Sequence, residues 1–241
     1  MSKKSIYLFV FMALATFFAL SAQAAEGNSC LIKAKKIYTV SQGIIENGMI
    51  LVEKGKIVQV GKNIPVPKGV PVLEAEVVIP GLIDAHTHVG VYSLPNVDEN
   101  SDGNEMTNPV TPQVRALDSF NFDDPAIKAG LAGGVTTVIS RPGSGNVIGG
   151  TSVAVKLKDA PPQEMVLKEV CDLKMAIEGN PVGVYGAKNQ MPGTLMAVYF
   201  LARKAFIEAQ EYAKSWETYE KEKKEGKDVS APKRDLSSLR A

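Results

Sequence analysis

Histidine and cysteine are scarce in this sequence. Each occurs twice, at His86 and His88 and at Cys30 and Cys171, and there is a single tryptophan. Two cysteines allow at most one internal bridge, which excludes a disulfide-stapled scaffold and a cysteine-rich zinc module. One Cys30–Cys171 disulfide and two free thiols both stay open. An excess of charge of one sign is also missing. The chain carries 27 basic and 26 acidic side chains, a formal net charge of +1. No broad basic or acidic field therefore points to nucleic acid. No sustained apolar run reaches the length of a bilayer span. What is present in ordinary amount is core-forming material: 45% hydrophobic and 22% charged residues over 241 positions. That suffices for one large domain or two small ones.

The first residues read as a targeting segment. Lys3 and Lys4 form a positive n-region, Ile6 to Leu20 an apolar run, and Ser21-Ala22-Gln23-Ala24 an A-x-A cleavage site. Residues 1–24 are expected to be a cleaved signal peptide, which makes the mature protein secreted or periplasmic, with no stable membrane anchor. Gly27-Asn28-Ser29 before Cys30 lacks the apolar residue of a lipobox. Loss of Lys3 and Lys4 takes the formal charge from +1 to −1.

Residues 30–79 read as short strands: Ile32 to Val40, Gly48 to Val52, Lys56 to Gly61 and Val70 to Ile79. Glu53-Lys54-Gly55 offers a hairpin turn with Gly available for positive φ. From residue 80 the pattern changes. Gly81 to His86 reads as a strand, Asp124 to Leu131 as a helix capped by Asp123 or Asp124 with Pro125 at its first position, and Gly134 to Ser140 as a β-branched strand. Strand, helix and strand in that order make a βαβ unit and predict a parallel sheet. Thr151 to Leu157 and Leu173 to Ile177 are further strands. Leu195 to Tyr219 is a long amphipathic helix that runs into the charge-rich stretch 221–228.

The chemistry lies with the two histidines. They sit two residues apart at the end of a strand, where side chains at i and i+2 share a face, so both imidazoles can reach one ion. Asp84 is two residues earlier on the same face and can orient a ligand from behind. Other motifs are weaker. Residues 98–103 match half of a calcium loop, but its twelfth position would be Pro109, where a bidentate Glu is needed. Gly143-Ser144-Gly145-Asn146 leads into a strand and lacks G-x-G-x-x-G spacing, which argues against a dinucleotide site. Ser144 has no histidine base near it in sequence.

Pro80-Gly81-Leu82-Ile83-Asp84-Ala85-His86-Thr87-His88 resembles the first barrel strand of the amidohydrolase superfamily. The hairpin from Gly48 to Gly61 and the helix-to-strand junction Ala129 to Val138 resemble the same superfamily, and the Met191-Pro192-Gly193 segment and the helix ending near Trp216-Glu217 resemble its secreted, imidazolonepropionase-like subgroup. The resemblance runs from Cys30 to about Leu236. It implies an α/β fold: a (β/α)8 TIM barrel with a small β-sandwich, residues 30–79 giving part of the sandwich and 80–241 the first part of the barrel. It implies a hydrolase of C–N bonds in small cyclic or linear amides, with one or two divalent metals, often zinc, whose bound water attacks a carbonyl carbon. His86 and His88 map onto the first ligand pair. Lys174 falls where some members carry a carboxylated lysine, and Glu178 where others use a carboxylate. Family members read Gly-Glu-Asn-Pro where this chain has Glu178-Gly179-Asn180-Pro181. A full-length protein of this kind can be a homo-oligomer.

No histidine follows His88, and Gly81 to Ala241 is shorter than the roughly 250 residues a barrel takes. The expectation is therefore a truncated barrel, without the family's later histidines and aspartate, that is inactive alone. A catalytically dead remnant and a simple metal-binding module using only His86, His88 and water remain as alternatives.

Overall fold

A computed structural model describes residues 29–240 in two compact units, one up to Pro80 and one from Gly81 onward. The expected signal peptide lies outside the described residues. Among those described, no helix is long and apolar enough to cross a membrane.

The first unit is one mixed sheet of four strands, β1 (Cys30–Tyr38), β2 (Ile44–Glu53), β3 (Lys56–Gly61) and β4 (Val72–Val78), in the order β3-β2-β1-β4. β1 pairs antiparallel with β2, from Cys30 opposite Val52 to Tyr38 opposite Ile44, and parallel with β4. β2 and β3 close as a hairpin with Glu53 opposite Lys56. The two turn residues, Lys54 at φ 50° and Gly55 at φ 74°, both take positive φ, as the twist of a tight hairpin requires. Leu31, Leu51 and Ile64 form one small buried cluster, and Ala34, Ile37 and Ile50 another. All four predicted strands are present, with ends shifted by a few residues.

The second unit opens with the predicted βαβ. β5 (Leu82–Thr87) and β6 (Val135–Ser140) run parallel, joined through α1 (Pro125–Ala132). Asp124, not Asp123, caps α1: its carboxylate accepts from Ala126 N at 2.9 Å, and Pro125 opens the helix. Gly81 allows the two strands to meet closely, because a Cβ there would lie 2.3 Å from Thr136 Cγ2 and Oγ1.

Beyond β6 the parallel order stops. The predicted strand from Thr151 to Leu157 divides at Ser152 into β7 (Ile148–Thr151) and β8 (Val153–Lys156). β8 returns antiparallel along β6 and carries β9 (Val166–Lys168), giving the order β5-β6-β8-β9. β7 instead pairs antiparallel with β10 (Leu173–Met175). The reason is the connection. A parallel neighbour needs a crossover of a dozen or more residues, usually helical. The chain between β6 and β8 holds no helix.

Four-residue α2 (Pro162–Met165) precedes β9, and α3 (Gly179–Gly186), α4 (Leu195–Lys224) and α5 (Leu236–Arg240) follow β10. α4 starts at Thr194, whose hydroxyl caps Ala197 N, and buries Val198, Ala202 and Ala205, one stripe at helical spacing. That stripe packs with Val147 and Ile148. A larger core, including Val91, Phe120, Ile127, Val138, Val153, Val155 and Met165, lies where α1 meets the sheet.

Candidate metal centre

His86 is the fifth residue of β5, and His88 follows the strand end. Their rings stand edge to face, with centroids 5.7 Å apart. Zinc–nitrogen bonds run about 2.0–2.1 Å, so two imidazoles at that spacing can share one ion. His88 Nδ1 lies 2.9 Å from the carbonyl oxygen of Arg141. A carbonyl can only accept, so Nδ1 carries the proton and donates, leaving the Nε2 lone pair free.

Lys174, the middle residue of β10, completes the cluster. It is 8% exposed, and its Nζ lies 3.2 Å from His86 Nε2. Its depth is the informative feature: a lysine this buried ordinarily has an anionic partner. The adjacent anion, Asp172, is already engaged, accepting from Arg141 Nη1 at 2.6 Å and closely from the Ser152 hydroxyl. Burial, and then the positive charge of Arg141, lower the Lys174 pKa, while Asp172 opposes them. The His86 pKa is lowered as well, by desolvation first and then by Lys174, Arg141 and His88, against the pull of Asp84. The downward shifts of His86 and Lys174 both favour their uncharged forms, which suits a cation held beside them.

Asp84 does not reach a ring. Its Oδ1 accepts from the backbone N–H of His86 at 3.0 Å and so steadies the strand end. The orienting role expected of it falls to the Arg141 carbonyl. Glu178 stands exposed at the N-cap of α3, and its side chain makes no capping bond. β10 ends at Met175, so Glu178 does not share a strand with Lys174. Among the described residues no group of three or more His, Cys, Asp or Glu could hold a metal ion.

Residues that sequence reasoning passed over are Arg141, Asp172 and Tyr92. Tyr92 meets the His88 ring edge-on at 5.5 Å and donates to Asn104 Oδ1 at 2.7 Å. Asn104 in turn donates to the fully buried Asn146 at 2.7 Å. The one available signal was position: Arg141 directly follows β6, and in parallel α/β units strand C-terminal ends carry function. Beside His88 and Tyr92 an open cavity of about 460 Å³ is lined by Met106, Ser144, Asn180 and several glycines. His88 itself lines it, and no other acidic or basic side chain does among the described residues.

No protein-family model matches the chain. A crystal structure of an amidohydrolase from Thermotoga maritima MSB8 is 37% identical, aligns over 87% of this chain and 53% of its own, and gives a TM-score of 0.77. Amidohydrolase tasK of Hapsidospora irregularis is 33% identical over 142 residues, 54% of this chain and 14% of the relative. Together with the histidine-bearing strand, these similarities support the amidohydrolase superfamily for this chain. The chain spans about half the length of the solved relative and a small part of the curated one.

Proposed function

We propose that this chain supplies the first metal-binding element of an exported hydrolase of amide-type C–N bonds. The observation that carries the reading is the meeting of His86 and His88 with buried Lys174, whose Nζ lies 3.2 Å from His86 Nε2. A divalent cation there, with zinc the first candidate and one or two ions open, would supply Lewis acidity and a water acidified toward neutral pH. Around it, His88 keeps its Nδ1 proton on the Arg141 carbonyl and offers Nε2. His86 offers its ring from the end of β5. Lys174 as free amine can attack carbon dioxide at carbon, forming an N–C bond and releasing one proton. The product is a carboxylate on the lysine stem, as the family resemblance implies. The cavity that His88 lines, with no other acidic or basic side chain on its wall among the described residues, would receive a neutral part of a small amide substrate.

In the same reading, β5, α1 and β6 open a (β/α)8 barrel and β1 to β4 give one layer of a β-sandwich. Residues 1–24 direct export to the periplasm or exterior. The 241-residue chain alone is expected to bind metal without turnover. Its only histidines are His86 and His88, and no further His/Cys/Asp/Glu cluster exists among the described residues. That same observation favours the alternative of a non-catalytic remnant.

The test is calorimetric titration of the purified, metal-stripped chain with zinc or cobalt, beside an assay of small neutral amides. Saturable binding that His88→Ala abolishes supports the site. Absence of binding, or binding indifferent to His88, would sink it. Metal-dependent hydrolysis by the chain alone would overturn the expectation of inactivity.

A further inference from the structure

We propose that Arg141 is a positioning residue that keeps Lys174 turned toward His86 by occupying the Asp172 carboxylate. The inference rests on reading His86, His88 and Lys174 as the metal-binding group. Arg141 touches every part of that group's support. Its backbone N–H donates to Thr87 O at 2.9 Å, and its carbonyl accepts from His88 Nδ1 at 2.9 Å. Its Nε and Nη2 both donate to Ala85 O, at 3.1 and 2.9 Å. Its Nη1 reaches Asp172 at 2.6 Å, as an ion pair whose arginine side chain is 19% exposed. One residue thus fastens the backbone on both sides of His86 and the ring of His88, and ties them to the approach of β10.

The competition it prevents follows from strand geometry. Asp172 and Lys174 are two apart at the start of β10, and alternate residues of an extended segment face the same side. A lysine stem is long and flexible, and a carboxylate within its reach is its natural partner. Asp172 is held in place, its carbonyl accepting from Ser152 N at 2.9 Å and its carboxylate from the Ser152 hydroxyl. The same Oδ1 of that carboxylate also accepts from Arg141 Nη1, a single charge-assisted bond that sets the guanidinium charge beside the carboxylate. With that guanidinium charge removed, Lys174 would gain Asp172 as its anion and leave His86.

The test is NMR on the metal-free 241-residue chain, reading the nuclear Overhauser contact between the Lys174 ε-methylene and the His86 ring, with the His88 ring nitrogen shifts reporting its tautomer. The contact is expected in the unmodified chain, lost in Arg141→Met, and restored in Arg141→Met/Asp172→Asn, where no carboxylate competes. Retention of the contact in Arg141→Met would overturn the proposal. Loss in both variants would also overturn it, since Arg141 would then be merely structural. Cobalt titration of the unmodified chain reads the metal-binding assignment separately. A chain that shows the three-variant pattern but takes up no cobalt upholds the positioning role and removes the metal reading.

Discussion

The two units of this chain use their residues in opposite ways. In the first, three of four strands follow one another through short turns, and pairing is between sequence neighbours except where β4 returns beside β1. Its buried side chains are aliphatic, and its charged ones stand in water, as with the Lys35–Glu76 pair at 69% and 77% exposure. In the second unit the residues that matter come from distant segments: 84–88, 141, 152 and 172–174. They bury a lysine, two-thirds cover a carboxylate and leave an imidazole lone pair free. Aliphatic burial accounts for a sheet, whereas burial of a charged group without an opposite partner marks chemistry.

Four measurements would break or sharpen that contrast. The largest effect belongs to the site. His86→Ala is expected to weaken metal binding roughly 1,000-fold, about 4 kcal/mol, since loss of a mere outer-shell partner already costs ~10–100-fold. Calorimetry on the stripped chain reads it, and an unchanged affinity would erase the distinction between the units. Next is Asp124→Ala. That buried carboxylate caps α1 and accepts from Gly90 N at 2.9 Å and Leu94 N at 3.2 Å. Loss of a cap and two buried partners should cost about 3 kcal/mol, read as a lower urea midpoint for the second unit. Leu31→Ala, fully buried in the first sheet, should cost about 2 kcal/mol. Metal affinity should not change, because every partner named for His86, His88 and Lys174 lies beyond Pro80. A fall in affinity would show that the contrast is drawn too sharply. Smallest is Lys35→Ala, which breaks only the exposed pair with Glu76 and should shift stability by less than about 0.5 kcal/mol in the same titration.

Much of the scaffold was legible in the sequence because it is local. Short strand-like runs marked β1 to β4, Glu53-Lys54-Gly55 marked the hairpin, and Pro125 after Asp123-Asp124 marked the start of α1. The histidine pair was legible for the same reason, as two residues on one strand end. Arg141 was not, because its role depends on a carbonyl and a guanidinium reaching segments 53 and 31 residues away. Lys174 could be named a candidate only through family resemblance. Its burial and its 3.2 Å approach to His86 depend on β10 pairing with β7. The end of β10 at Met175, which leaves Glu178 outside the strand, is announced by nothing in Leu173 to Ile177.

By itself, then, the sequence determined the four strands of the first unit, the βαβ opening, the long helix α4 and the placing of two imidazoles at one strand end. Local pattern and capping suffice for these. Tertiary structure alone decided that β8 would turn back along β6, that Asp172 would be taken by Arg141, and that Lys174 would be buried facing His86. Those outcomes depend on which distant groups compete for the same partner, and no stretch of local sequence contains that competition.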